Sequence, residues 1–404
     1  MLRPNPYACA CAASLGLLAA GEASAQTSTA PEAAAIILDS RLRYESVDQD
    51  GLDRADALTL RTRFGVRSAR LSGWQVLAEG EAVGSLVEDY NDTINGKTGF
   101  PVVPDPETLE LNRLQASFNG LPGTEIIIGR QRLVLDNARF VGNVGFRQNE
   151  QTFDAVVVRT DALGPFRTTY GYIDRVQRIF GDDSPAGVWR SDSHLLNVSG
   201  DSRFGKLTGY GYWLDFENAP AQSSATVGVR LEGRRAATEG LALNWALELA
   251  RQSEHGDNPN RFDVGYGLVS GGVSQGPLAV NLAFERLGAD SGQAFQTPLA
   301  TLHAFQGWAD VFLTTPTDGL TDLSATTSWT VRQPPVGRSA VLTAAWREYR
   351  DGDRDLRFGR ELNVSARLML DAHWSMEAKL ARFDGARPAF PDRTKVWFAL
   401  EHSF

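Results

Sequence analysis

The sequence predicts an all-β fold, a single transmembrane antiparallel β-barrel of about eighteen strands with long extracellular loops and short periplasmic turns. Three observations predict it. Stretches in which apolar and polar residues alternate with a period of two recur along the whole chain. The connections between them are alternately long and short. The last stretch, "RTKVWFALEHSF", sets Thr394, Val396, Phe398, Leu400, His402 and Phe404 on one row and Arg393, Lys395, Trp397, Ala399, Glu401 and Ser403 on the other, a strand with one apolar and one polar face.

Residues 1–25 read as a cleaved signal peptide. Arg3 gives a positive start, "ACACAASLGLLAA" an apolar run, and Ala23-Ser24-Ala25 a small-x-small cleavage site before Gln26. Cys9 and Cys11 are the only cysteines and precede that site, so the mature chain is expected to hold none. Residues 26–35 read as a short periplasmic segment and 36–404 as the barrel. Beyond the signal no run approaches the roughly 18 apolar residues of a spanning helix, and the longest candidate, "LALNWALELA", is broken by Asn244 and Glu248.

The clearest alternation lies at 38–45, where Leu38, Ser40, Leu42 and Tyr44 face away from Asp39, Arg41, Arg43 and Glu45. It recurs at 58–67, 226–234, 241–249 and 362–370, and in less regular form at 73–85, 108–118, 124–132, 151–159, 166–174, 194–199, 206–216, 262–270, 278–286, 320–332, 339–349, 374–382 and 393–404. With the mature N-terminus periplasmic, the long polar connections 86–108, 133–150, 174–192 and 287–319 fall on the extracellular side. Turns such as "NGLPG", "TDALGP", "SQGP", "RQPPVG" and "DAH" fall on the other. Closure is required, because lipid tolerates no unpaired strand edge. Tyr44, Trp74, Tyr170, Tyr172, Tyr212, Trp329, Trp346 and Trp374 are expected in interfacial girdles.

A net charge of −9 argues against a nucleic-acid partner, and only four of the 40 basic residues are lysine. Arginine offers a planar fork suited to carboxylates, which lysine does not. An enzyme is not expected: the G-x-S-x-G match "GVSQG" at 272–276 sits in a turn between strands, not at a nucleophile elbow. The five histidines are scattered without metal-ligand spacing, so no cofactor is expected. The acidic clusters "DQDGLDRAD" (48–56) and "DGDRD" (351–355) lack the spacing of a calcium loop, although loop-bound Ca²⁺ is chemically open to them.

Residues 129–154, beginning "GRQRLVLDNARFVGNVGF", and 295–320, "FQTPLATLHAFQGWADVFLTTPTDGL", resemble signature stretches of the alginate-export family of bacterial outer-membrane proteins. The terminal aromatic likewise resembles the C-terminal signal read by the barrel-assembly machinery, with Phe404 as its last residue. The family resemblance implies a barrel of about eighteen strands with an arginine-lined passage for an anionic polyuronate, and the chain is expected to be a monomer among outer-membrane lipid and lipopolysaccharide. On the inward rows Arg41, Arg43, Arg61, Arg63, Arg67, Arg113, Arg130, Arg132, Arg230, Arg234, Arg347 and Arg367 are the expected positive path. Glu79 and Glu232, with Glu81, Glu248, Glu361 and Glu377, are expected to orient them. Most acidic residues are expected in loops and turns, leaving the lumen electropositive. A general porin for other acidic solutes and a plugged structural or adhesive barrel are the alternative readings.

The strand-end stretch Gly129-Arg130-Gln131-Arg132 is expected to turn at least one arginine into the lumen. The polar segment after it, with Gly142 and Gly145, is able to fold inward. The 287–319 connection carries Phe295, Leu299, Leu302, Phe305, Trp308, Phe312 and Leu313, too much apolar surface for free solvent, and is expected to dock as a short helix or plug.

Overall fold

The computed structural model describes residues 33–404, so the expected signal peptide and residues 26–32 lie outside the described residues. The chain runs through β1 (Ala35–Gln49), β2 (Ala55–Arg67), β3 (Trp74–Asp89), β4 (Thr108–Leu121), β5 (Thr124–Gln131), β6 (Thr152–Thr160) and β7 (Arg167–Gln177). It continues through β8 (Val188–Ser202), β9 (Gly205–Leu214), β10 (Ser224–Thr238), β11 (Leu241–Glu254), β12 (Asp263–Gln275) and β13 (Leu278–Leu287). A two-residue-armed hairpin, β14 (Ala289–Asp290) and β15 (Gln293–Ala294), lies in the next loop. The last strands are β16 (Leu320–Val331), β17 (Ser339–Arg350), β18 (Arg357–Met369), β19 (Trp374–Gly385) and β20 (Arg393–Ser403).

Apart from the small hairpin, the strands form one 18-stranded sheet in which each pairs antiparallel with its sequence neighbours. The sheet closes where β1 meets β20, from Asp39 opposite Ser403 to Gln49 opposite Arg393. The cause is the alternation itself. Leu42, Leu60, Phe64, Leu243, Leu247 and Val364 stand exposed on the outer wall, an arrangement favourable only against lipid, while Arg41, Arg43, Arg61 and Arg63 on the opposite rows are buried within. The periplasmic turns are the tight ones. Between β4 and β5, β10 and β11, and β12 and β13 they contain Gly123, Gly240 and Gly276, all at positive φ, as two-residue hairpins demand.

Three expectations need correction. The connection set at 174–192 shrinks, because β8 begins at Val188: Trp189, Ser191 and Ser193 continue the buried row, and the outward row carries Arg190 and Asp192 above the apolar belt. Tyr212 is no girdle residue; it is 2% exposed and stacks on Tyr210 inside the barrel. The 287–319 connection forms no plug helix, only a three-residue 3-10 turn at Leu302–Ala304. Its docking comes from side chains instead, with Phe295, Leu299 and Phe312 buried against the barrel interior.

Candidate functional site

Two extracellular loops, 132–151 and 288–319, fold into the lumen and are bonded into one assembly. Val141 and Leu299 form a parallel bridge, Gly142 N donates to Leu299 O at 2.8 Å, and Thr301 N donates to Ala138 O at 3.0 Å. Gln151 Nε2 donates to the carbonyls of both Gly142 and Leu299. The first loop also reaches the wall: Arg41 Nε donates to Gln148 Oε1 at 2.9 Å, and Gln148 Nε2 donates to Thr59 Oγ1 at 2.7 Å. On the opposite wall Phe140 sits among Tyr210, Tyr212, Tyr266 and Phe295, and Arg139 Nε donates to Glu285 Oε1 at 2.6 Å. A third loop, between β3 and β4, joins the constriction through Asp105, which accepts from Arg43 and from Gln148 N.

The tip of the 288–319 loop is held by charge. Asp310 Oδ2 accepts from Arg147 at 2.8 Å and from Lys395 at 2.8 Å, and Asp310 Oδ1 accepts from His303 Nδ1 at 2.7 Å. Glu45 on β1 accepts from the same Arg147 and lies 3.0 Å from Lys395. Lys379 Nζ lies 2.7 Å from His303 Nε2, and a lysine ammonium only donates. The imidazole is therefore neutral, with its proton on Nδ1. Burial pushes His303 down to about 3, against the pull of Asp310. For Asp310, burial acts upward, but His303, which donates to it, and the Lys395 and Arg147 charges outweigh it and hold the carboxyl well below the usual range. Lys379 is seated against the faces of Phe146 and Trp308, 4.4 and 4.2 Å from their ring centres. Arg393 Nη1 donates to the carbonyls of Ala309 and Asp310, and Glu361 Oε1 accepts from Ala309 N at 3.0 Å.

Most of the expected path residues do face the lumen, and almost all meet a carboxylate. Arg41 lies 3.6 Å from Glu401, Arg43 bonds Asp105, Arg61 bonds Asp39, and Arg63 bonds Glu81. Glu79 accepts from Asn112 and Arg113, and Arg132 pairs with the buried Glu150 at 2.6 Å. Arg230 bridges Glu248 and Glu232, Arg347 bonds Asp322, and Arg367 lies 3.0 Å from Glu401. Arg234 donates to Ser274 at 3.2 Å, and Arg67 is half-buried at the periplasmic end of β2. The lumen is thus not simply electropositive. Carboxylates stand on the inward rows themselves, at Glu45, Glu79, Glu81, Glu248, Glu285, Asp322 and Glu361, because a guanidinium buried in a wall needs a counter-charge nearby.

Arg130 is placed differently from expectation. It pairs across the sheet with Leu114, which is 48% exposed on the lipid-facing row, and with Asp154, to which it bonds at 2.7 and 3.0 Å. It therefore lies on the outer row, and Arg132, one step past the strand, is the arginine that enters the lumen. The residues that hold the constriction, Glu45, Asp105, Asp310, Lys379 and Lys395, were not singled out from the sequence. The two lysines were findable, since they alternate with apolar outward residues and two of the chain's four lysines fall on adjacent strands. Among the described residues no three His, Cys, Asp or Glu side chains converge as a metal site.

A closed eighteen-stranded barrel, apolar outside and constricted by in-folded extracellular loops, is an outer-membrane barrel of the porin type, and its place is the bacterial outer membrane. The chain is similar in fold to Acinetobacter baumannii OccAB3, with TM-score 0.74 and 12% identity over 92% of this chain and 99% of that one. It is also similar to Pseudomonas aeruginosa OpdL, with TM-score 0.69, 15% identity and coverage of 92% and 98%. Pseudomonas aeruginosa OccK11 (OpdR) gives TM-score 0.68 and 16% identity over 92% and 96%. No protein-family model and no curated protein matches the chain.

The barrels that the chain resembles in fold are the Occ and Opd proteins and not alginate exporters, so the alginate-export resemblance is corrected. The two stretches that carried it are the two in-folded loops. A polar, glycine-containing loop and an apolar one are what filling a wide barrel requires, whatever passes through it.

Proposed function

We propose that the protein is a passive outer-membrane channel for small acidic solutes. The observation that carries this reading is Arg41 directly opposite Arg61 on β1 and β2, with Arg63 two residues on, all turned into the lumen beside the in-folded loops. Like charges facing each other across a sheet are unfavourable in themselves. Their juxtaposition on one inward face argues for a wall that meets anions. Each guanidinium already has an internal carboxylate or amide partner, so a passing anion exchanges with that partner and is released again, as conduction through weak sites in series needs. The joined loops narrow the passage, which favours small solutes over a polymer.

The test is the reversal potential of the reconstituted channel under a salt gradient. Wild type should prefer anions, and Arg61→Gln with Arg63→Gln should lower that preference while the barrel stays folded. A cation-selective wild type would overturn the reading. A second reading, a plugged structural barrel, draws support from the aromatic cluster around Phe140 and the loops filling the lumen. It requires that no current pass at all.

A further inference from the structure

The lipid-facing wall is not uniform. Across β17 to β20 one row of outward residues in register reads Leu342, Ala366, Ala378 and Phe398, which is large, small, small, large. Together with Ala344, the two alanines floor an apolar groove of about 590 Å³ whose sides include Leu342, Leu380 and Phe398. Above it, towards the extracellular edge of the same wall, stand Arg350 of β17, Arg357 and Arg360 of β18 and Arg382 of β19. Arg350 and Arg357 are opposite each other in the register. Among the described residues two carboxylates pair with these four guanidiniums. Glu348 accepts from Arg350 at 2.9 Å and from Arg360 at 2.8 Å, and Asp384 accepts from Arg382 at 3.1 Å, while no carboxylate pairs with Arg357. Elsewhere on the outer rim the balance is even: Arg175, Arg190 and Arg251 each have a carboxylate of their own. Exposed pairs of this kind contribute little by themselves and leave the arginines open to a further anion.

Depth links the two features. Arg360 and Ala366 are six residues apart on one outward row of β18. That is about 20 Å along the strand at ~3.3 Å per residue, or about 15 Å of membrane depth at the ~40° tilt of a barrel strand. Half of a ~30 Å hydrocarbon core is the same distance. A headgroup at the arginines therefore brings the end of its acyl chain to the groove.

We propose that this face holds one phosphorylated lipid of the outer leaflet, lipopolysaccharide in that membrane, with a lipid A phosphate on Arg357 and Arg360 and an acyl chain laid in the groove. The inference rests on the outer-membrane placement and is independent of what the pore conducts. Phosphate matches the planar guanidinium fork. Within lipid no hydrophobic gain favours one apolar neighbour over another, so the groove selects by close dispersion contact, which a trough offers and a flat wall does not. A second copy of the chain is a poorer occupant, because a two-fold contact would set the arginine patch against itself.

The test is native mass spectrometry of the full barrel in detergent, titrated with purified bisphosphorylated lipid A or with its dephosphorylated form. One lipid A per barrel should be retained, about tenfold more tightly than the dephosphorylated form, the effect of one charge-assisted hydrogen bond. Arg357→Gln with Arg360→Gln should abolish that difference. Ala366→Leu with Ala378→Leu, which fills the groove, should weaken retention of both forms. Arg251→Gln on the rim of β11 and Ala82→Leu on the outer row of β3 should behave as wild type, and β-sheet circular dichroism should be unchanged throughout. Retention indifferent to phosphate overturns the site, as does wild-type binding by either the arginine or the groove variant. A dimer that the groove variant converts to a monomer would assign the trough to a second copy and also overturn it.

Discussion

Gly307 shows how closely the loop tip is fitted to the wall. Its φ is +84°, and a Cβ added there would stand 2.3 Å from both Glu361 Oε2 and the Tyr349 hydroxyl. Only glycine permits both the left-handed backbone and that approach, which brings Ala309 N onto the Glu361 carboxylate. Gly307→Val should therefore unseat the tip without disturbing the strands, and appear as raised conductance in a barrel with unchanged β-sheet circular dichroism. Gly51, also at positive φ but with open space around it, is the control: Gly51→Ala should cost only about 1 kcal/mol of local strain and leave conductance alone. Arg130 teaches a complementary lesson. Row parity placed it in the lumen, yet parity identifies the lipid side only where lipid demands apolar residues, and at the end of β5 the outer row is free to carry the Arg130–Asp154 pair.

At the level of elements, the strands were legible and the docking of the loops was not. Lipid forces one row of every strand to be apolar, so eighteen segments could be read locally, with β8 read too short where it rises above the belt. The constriction depends on partners that meet only in space. Arg147 and Asp310 are 163 residues apart, and Arg41 and Gln148 are 107 apart. Composition did indicate that both loops must bury something, but not where. Docking of the 288–319 loop should also respond to acid. His303 takes its ordinary value near 6.5 in a released loop and about 3 when docked, where it faces Asp310 of its own loop, Lys379 of β19 and Arg147 of the neighbouring loop. The released loop then binds the proton first, so docking is strongest above about pH 6.5 and weakens as pH falls towards 3. Protonation of Asp310, whose value is lowered on docking, acts in the same direction at the acid end. Open probability should rise on acidification below pH 6.5, and His303→Gln, which keeps a donor and an acceptor, should flatten the response above pH 4.

For the whole molecule, the barrel's orientation towards lipid is the property on which every inward assignment depends. Leu243 stands 41% exposed on the outer row of β11, while its neighbour Asn244 points inward and donates to Asn281 at 3.2 Å. Leu243→Arg should destabilise the inserted barrel, by less than the ~2–4 kcal/mol of a bilayer-midplane site because Leu243 is the third residue of β11 after the periplasmic turn. Asn244→Arg should be tolerated, and urea unfolding in lipid vesicles compares the two. Equal losses would mean that the inner and outer walls are exchanged. The seam between β1 and β20 has a temporal consequence. Glu45 and Gln49 come from the first strand, and Arg393 and Lys395 from the last, so the seat of the loop tip is completed only when the two ends of the chain have met. Such distant pairing is slow to form. During biogenesis the 288–319 segment is made long before its seat exists, and its docking becomes a record that the cylinder has been finished, an internal checkpoint read by the same residues that later face arriving solute.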